Sequence, residues 1–110
     1  MRSDDPWALG MIDHATEEAI MRAIGDLLRR ARHASGLKLA QLSDRSGISQ
    51  SVLCRVELAR RTPNIPLLIA VCAAMGIRAS DVFRAAEDAA VPLPASPRLG
   101  RFHDLLGDDT

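Results

Sequence analysis

The chain has 110 residues, 47% of them hydrophobic and only 3% aromatic, and a formal net charge of zero. This length fits one domain, and a core limited to Ala, Leu, Ile and Val suits packed helices better than a β-sandwich. No apolar run reaches the roughly 18 residues of a membrane span, no signal-peptide pattern surrounds Asp4 and Asp5, and two cysteines, Cys54 and Cys72, are too few for a disulfide framework and fit a reducing cytoplasm.

Residues 1–15 read as an N-terminal extension, interrupted by Asp4-Asp5-Pro6 and Gly10, with Trp7, Leu9, Met11 and Ile12 as its apolar positions. A first helix is expected from Thr16, a good N-cap, with Glu17 and Glu18 at the positive end of its dipole. Ile20, Ile24, Leu27, Leu28 and Ala31 recur at helical spacing, and Gly36 ends the helix. A second helix sets Leu39, Leu42 and Ser46 on one face and closes at Gly47. Ser49 caps a third, whose inward stripe is Val52, Leu53 and Val56. Arg60-Arg61-Thr62-Pro63 is a loop, because the residue before a proline is biased away from helix. Asn64 caps a fourth helix, with Pro66 in its first turn and Leu68, Ile69, Cys72 and Met75 turned inward. Ser80 caps a fifth, carrying Val82, Phe83 and Ala86. Residues 90–110 are a C-terminal tail: three prolines fall within 91–97, followed by an amphipathic turn through Leu99, Phe102, Leu105 and Leu106. The expectation is an all-α, compact five-helix domain over residues 16–89 with an extension at each end.

The zero net charge hides an asymmetry. Residues 20–84 hold eleven Lys/Arg against four acids, a net +7, while residues 1–19 carry −4 and residues 85–110 carry −3. A basic middle between acidic ends points to a polyanion partner, although an ordinary solvated surface accounts for charge alone equally well. The stretch 36–62 is more specific. Two short helices meet at Ser46-Gly47-Ile48-Ser49, where Gly47 can take a positive φ and Ile48 plugs the angle between them. The helix after the turn would expose Gln50, Ser51 and Arg55.

These features resemble the lambda-repressor-like and Cro-like (XRE-like) helix-turn-helix family over about residues 20–84. The resemblance rests on IGDLLRRARHASGL at 24–37, GISQS at 47–51, RVE at 55–57, RRTP at 60–63 and LLIAVCAAMGI at 67–77, taken in their order and spacing. It implies a sequence-specific double-stranded DNA-binding regulator of transcription. Gln50, Ser51 and Arg55 would read base edges in the major groove. Lys38, Ser49, Arg60 and Arg61 would contact phosphates, and Arg32 would form a structural salt bridge with Glu57. Two departures stand out. Lys38-Leu39 replaces a common Thr-Gln, losing a side-chain amide there, and Leu58-Ala59 replaces a common Asn-Gly, so the third helix is expected to run longer.

His14, His33 and His103 lack metal-ligand spacing with each other or the cysteines, so no metal or other cofactor is expected. Cys72 reads as a core residue, and Cys54 lies on the third helix beside Arg55. No Gly-rich phosphate loop, triad order or paired carboxylates suggests an enzyme. A homodimer on a roughly palindromic site is expected. Helix 5, the N-terminal apolar segment and the C-terminal stripe are the candidate contacts. The alternative is an antitoxin-like or other protein-interaction module that docks a protein partner through an extension.

Overall fold

The computed structural model describes residues 14–90, and within them five helices follow one another: α1 (His14–Ala34), α2 (Leu39–Ser46), α3 (Gln50–Glu57), α4 (Ile65–Ala74) and α5 (Ala79–Ala90). No strand occurs among the described residues. Trp7, Leu9, Met11 and Ile12, and Leu99, Phe102, Leu105 and Leu106, lie outside them. No single described helix is long and apolar enough to cross a membrane.

Apolar periodicity builds α1. Ile20, Ala23, Ile24, Leu27 and Leu28 fall at spacings of three and four, so they share the face that meets the core. The long α1 is the backbone of the domain, lying against α5 and α3, while α2 packs on α3 and α4, and α4 on α5. Leu28, Leu42, Val56, Val71 and Cys72 are fully buried where these helices meet. Burying each leucine or valine stabilises by about 1.5–3 kcal/mol. Among the described residues no polar or charged residue falls in the buried core.

Helix boundaries differ from expectation at two starts. α1 begins at His14, which puts Thr16 inside its first turn rather than at the cap. α5 begins at Ala79, and the Arg78 carbonyl accepts from Asp81 N–H (3.1 Å) and Val82 N–H (3.4 Å). Arg78 is therefore the N-cap, and Ser80 lies within the helix. Asn64 does cap α4: its Oδ1 accepts from Leu67 N–H at 2.8 Å. One inward assignment also fails. Ile69 is exposed, because the buried arc of its helix runs through Leu67, Leu68, Val71 and Cys72.

Candidate nucleic-acid interface

The turn between α2 and α3 is pinned from several sides. Gly47 sits at φ 75°, in the left-handed region that glycine enters without penalty, and its N–H donates to the Ser43 carbonyl at 2.9 Å. Ser43 Oγ donates to the Ile48 carbonyl (2.6 Å), and Ile48 N–H donates to Ser46 Oγ (3.2 Å). Ser49 takes an extended conformation and caps α3, its Oγ accepting from Val52 N–H at 3.2 Å. That bond uses the oxygen as acceptor and leaves the hydroxyl proton available to a phosphate.

α3 divides into two faces. Leu53 and Val56 are buried and Val52 is half-buried. Gln50, Ser51, Cys54, Arg55 and Leu58 are exposed on the opposite side, one turn after another. Lys38, Ser49, Arg60 and Arg61 are exposed as well. Arg22 and Arg30 pair with carboxylates on α1, at 3.8 and 2.7 Å. By contrast Lys38, Arg55, Arg60 and Arg61 form no ion pair with another described residue.

The C-terminal end of α3 is fastened to α1. Arg32 Nε donates to Glu57 Oε2 at 2.8 Å and Arg32 Nη2 to Glu57 Oε1 at 3.0 Å, a two-pronged ion pair. Arg32 Nη1 also donates to the Leu37 carbonyl at 3.1 Å. The two side chains are only 12% and 9% exposed, so solvent screens them little. The hydrogen bonding of its guanidinium to the Glu57 carboxylate raises the Arg32 pKa above its ordinary value; burial opposes this, and the Glu57 charge adds to it. One guanidinium thereby ties α1, the loop before α2 and the end of α3 together.

Two features of this junction escaped the sequence reading. A Cβ added at Gly25 would stand 2.6 Å from the Val56 carbonyl oxygen and 2.7 Å from that of Glu57. Gly25 therefore lets the end of α3 lie directly on α1. The available signal was a lone glycine inside an otherwise regular helical pattern. The second is Gln41. Its Oε1 accepts from Lys38 N–H at 2.8 Å, the backward half of a capping box; Lys38 has no acceptor for the forward half. Gln41 is exposed, so a side-chain amide stands at the start of α2 although Leu39 replaces the one that was sought there. Its position three residues past the cap was the signal.

The expected lengthening of α3 does not occur. The helix stops at Glu57, and Ala59 adopts φ 60°. Ala59 N–H donates to the Val56 carbonyl (3.0 Å) and Arg60 N–H to that of Arg55 (2.8 Å). This is a Schellman cap with alanine where glycine is usual. The fixed contacts of Glu57 and Gly25 hold the helix end in place and force alanine into the left-handed region.

The two cysteines are free, Cys72 buried and Cys54 exposed. Burial pushes the Cys72 thiol above its ordinary pKa, as suits an inert core residue. Among the described residues no group of His, Cys, Asp and Glu is placed to hold a metal ion.

Comparison with known proteins places this geometry. A family model described as "Helix-turn-helix domain" matches residues 23–86. "Transcriptional regulator ClgR" of two Mycobacterium tuberculosis strains, CDC 1551 / Oshkosh and H37Rv, is 33% identical over 82 residues, covering 74% of this chain and 70% of the relative. Two crystal structures of the clp gene regulator ClgR from Corynebacterium glutamicum superpose with TM-scores of 0.60 and 0.61 at 30% and 29% identity. They cover 66% and 79% of this chain and 92% and 93% of theirs. The chain therefore belongs to the helix-turn-helix domain family and is homologous to transcriptional regulators rather than to enzymes.

Proposed function

We propose that this protein is a sequence-specific regulator of transcription that inserts α3 into the major groove of double-stranded DNA as a homodimer in the cytoplasm. The observation that carries the reading is the two-sided α3. Its inner face and C-terminal end are fixed to the domain, and its outer face offers Gln50, Ser51 and Arg55 with no ion pair to another described residue. Gln pairs with adenine and Arg with guanine through two hydrogen bonds each, giving about 1–3 kcal/mol of discrimination per good pair. Lys38, Arg60 and Arg61 neutralise phosphates, while the Ser49 hydroxyl and the Gln41 amide donate to them. Arg32 and Glu57 touch no DNA and position α3. One domain of this size covers little DNA, so two copies bind half-sites roughly 34 Å apart.

The test begins with selection of bound sequences from a random duplex pool. Arg55→Ala and Gln50→Ala should each relax preference at one position of the selected site. Lys38→Ala and Arg60→Ala should weaken all sequences alike and lower the salt slope by nearly one unit each. No enrichment from the pool, or affinity insensitive to salt, would remove the DNA reading and favour a protein-docking module.

A further inference from the structure

A groove of about 510 Å³ lies between the middle of α1 and the end of α3. Ala23, Leu58 and Ala59 give it an apolar floor, and Leu58 is 51% exposed. Arg22 and Arg29 stand on its α1 side. Its two acids are already engaged, Asp26 with Arg30 at 2.7 Å and Glu57 with Arg32. Arg29 forms no ion pair with another described residue, and Arg22 has only the 3.8 Å contact with Glu18. The exposed Arg60 and Arg61 follow Ala59 directly, so weakly paired or unpaired cations flank the groove on both sides. Their loop is held against α1, where Thr62 Oγ1 donates to Met21 Sδ at 3.2 Å. An apolar floor between arginines fits a short peptide that combines apolar and acidic side chains.

We infer that the groove takes the chain's own Asp104-Leu105-Leu106-Gly107-Asp108-Asp109, and that this segment, when docked, restrains DNA binding. The restraint rests on the DNA-binding reading; the docking does not. The chemistry of the segment selects it as the occupant, since it sets two leucines among three carboxylates and contains no basic residue. Reach permits the contact. α5 lies against α1, so the way from Ala90 to the middle of α1 is on the order of 30 Å. Residues 91–103 connect the two, and with Pro92, Pro94 and Pro97 favouring an extended path they cover roughly 40 Å. A tether of that length keeps its end at about millimolar effective concentration, so a contact with a Kd of only about 0.1 mM is occupied about nine times in ten. The docked segment brings carboxylates to Arg60 and Arg61, where they compete with DNA phosphates. Occupancy of about nine in ten lowers the apparent DNA affinity about tenfold.

The test has two arms, both on the full chain. Without DNA, Thr110→Cys on a Cys54→Ser background carries a nitroxide label, the remaining Cys72 being buried. Paramagnetic broadening of the Ala23, Asp26, Leu58 and Ala59 amide signals is expected, and it should disappear when Leu105→Ser/Leu106→Ser or Arg29→Ala is added. With DNA, the leucine double variant and Arg29→Ala are each compared with the unaltered chain on duplexes recovered from the random pool. Both should bind about tenfold more tightly, all sequences alike. The sign is diagnostic. The leucine variant changes no charge, and loss of Arg29 removes a cation, which by electrostatics alone weakens binding to DNA. Groove signals without broadening, affinity unchanged in the leucine variant, or affinity lowered in Arg29→Ala overturns the inference; the groove is then left to DNA phosphates or to another protein. Broadening without any duplex binding would leave the docked segment standing and remove the DNA reading instead.

Discussion

Gly25→Ala tests how α3 is held, because local and tertiary effects act in opposite directions there. In a helix interior, alanine in place of glycine normally stabilises by about 0.8–1 kcal/mol. At position 25 the new Cβ meets the Val56 and Glu57 carbonyl oxygens at 2.6 and 2.7 Å, where ordinary contact begins at about 3.4 Å. Both obstacles are backbone atoms and cannot rotate aside. α1 and the end of α3 must part by most of an ångström. Overpacking of this kind costs about 1–3 kcal/mol, so the net effect is a loss of up to about 2 kcal/mol. In a domain of this size each kcal/mol lowers Tm by roughly 4–8 °C. Thermal and urea unfolding of the full chain, followed by helical circular dichroism, measures it. DNA affinity should fall as well, since the displaced end belongs to the helix that carries Gln50, Ser51 and Arg55. A Tm above that of the unaltered protein is what helix propensity alone requires, and it would refute the close approach of α1 and α3.

Four other outcomes follow from the same geometry. Glu57→Ala leaves Arg32 largely buried without its carboxylate and should cost about 3–5 kcal/mol, whereas removing a partner from the exposed Arg22–Glu18 pair should cost at most about 1 kcal/mol; urea unfolding separates them. Ala59→Gly relieves a left-handed alanine worth about 1–2 kcal/mol and loosens the unfolded chain by about 0.4–1 kcal/mol, so Tm should rise by a few degrees; an unchanged or lower value would mean that position 59 is not left-handed. Gln50→Ala, Ser51→Ala and Arg55→Ala should each leave stability within about 0.5 kcal/mol by the same unfolding assay, because these side chains bond to nothing else described. The raised Cys72 pKa means that the unfolded chain loses its thiol proton first as pH rises; this share of stability is complete below the ordinary thiol range and is lost as pH climbs through the raised value, so alkaline urea titrations should fall more steeply than those of Cys72→Ala.

Five helices were legible because apolar residues recur at the helical period and because Gly36, Gly47 and Gly76 close three of them. Ser49 and Asn64 were legible as caps because their short side chains reach the backbone N–H three residues on. Thr16 and Ser80 look the same in sequence, yet α1 and α5 start earlier. A cap residue marks a possible start, and packing of the flanking turn decides whether the helix uses it. Ile69 was misread for a related reason. On α4 every residue is apolar, so periodicity carries no direction, and only the neighbouring helices determine which arc is buried. The Arg32–Glu57 pairing was implied by family resemblance alone, since residues 25 positions apart say nothing of distance. Gly25 was invisible in another way. What matters there is an absent side chain, and its meaning appears only when the carbonyls of α3 are placed against it.

The arrangement of α3 separates the groups that hold it from the groups that could read DNA. Ser49 and the Ser43–Ile48 and Ser46–Ile48 bonds fix its first turn. Gly25, Arg32 and the Ala59 cap fix its last. Leu53 and Val56 fix its inner side. None of these groups lies on the outer face, so Gln50, Ser51, Cys54 and Arg55 are not required to keep the helix where it is. On the proposed reading, substitution at Gln50, Ser51 and Arg55 would change the recognised sequence without repacking the core. The strain at Ala59 follows from the same division. The helix end is held by contacts on α1, so the backbone after Glu57 must accept whatever conformation those contacts impose, and alanine enters the left-handed region at a cost that the Arg32–Glu57 pair and the buried stripe of α3 outweigh.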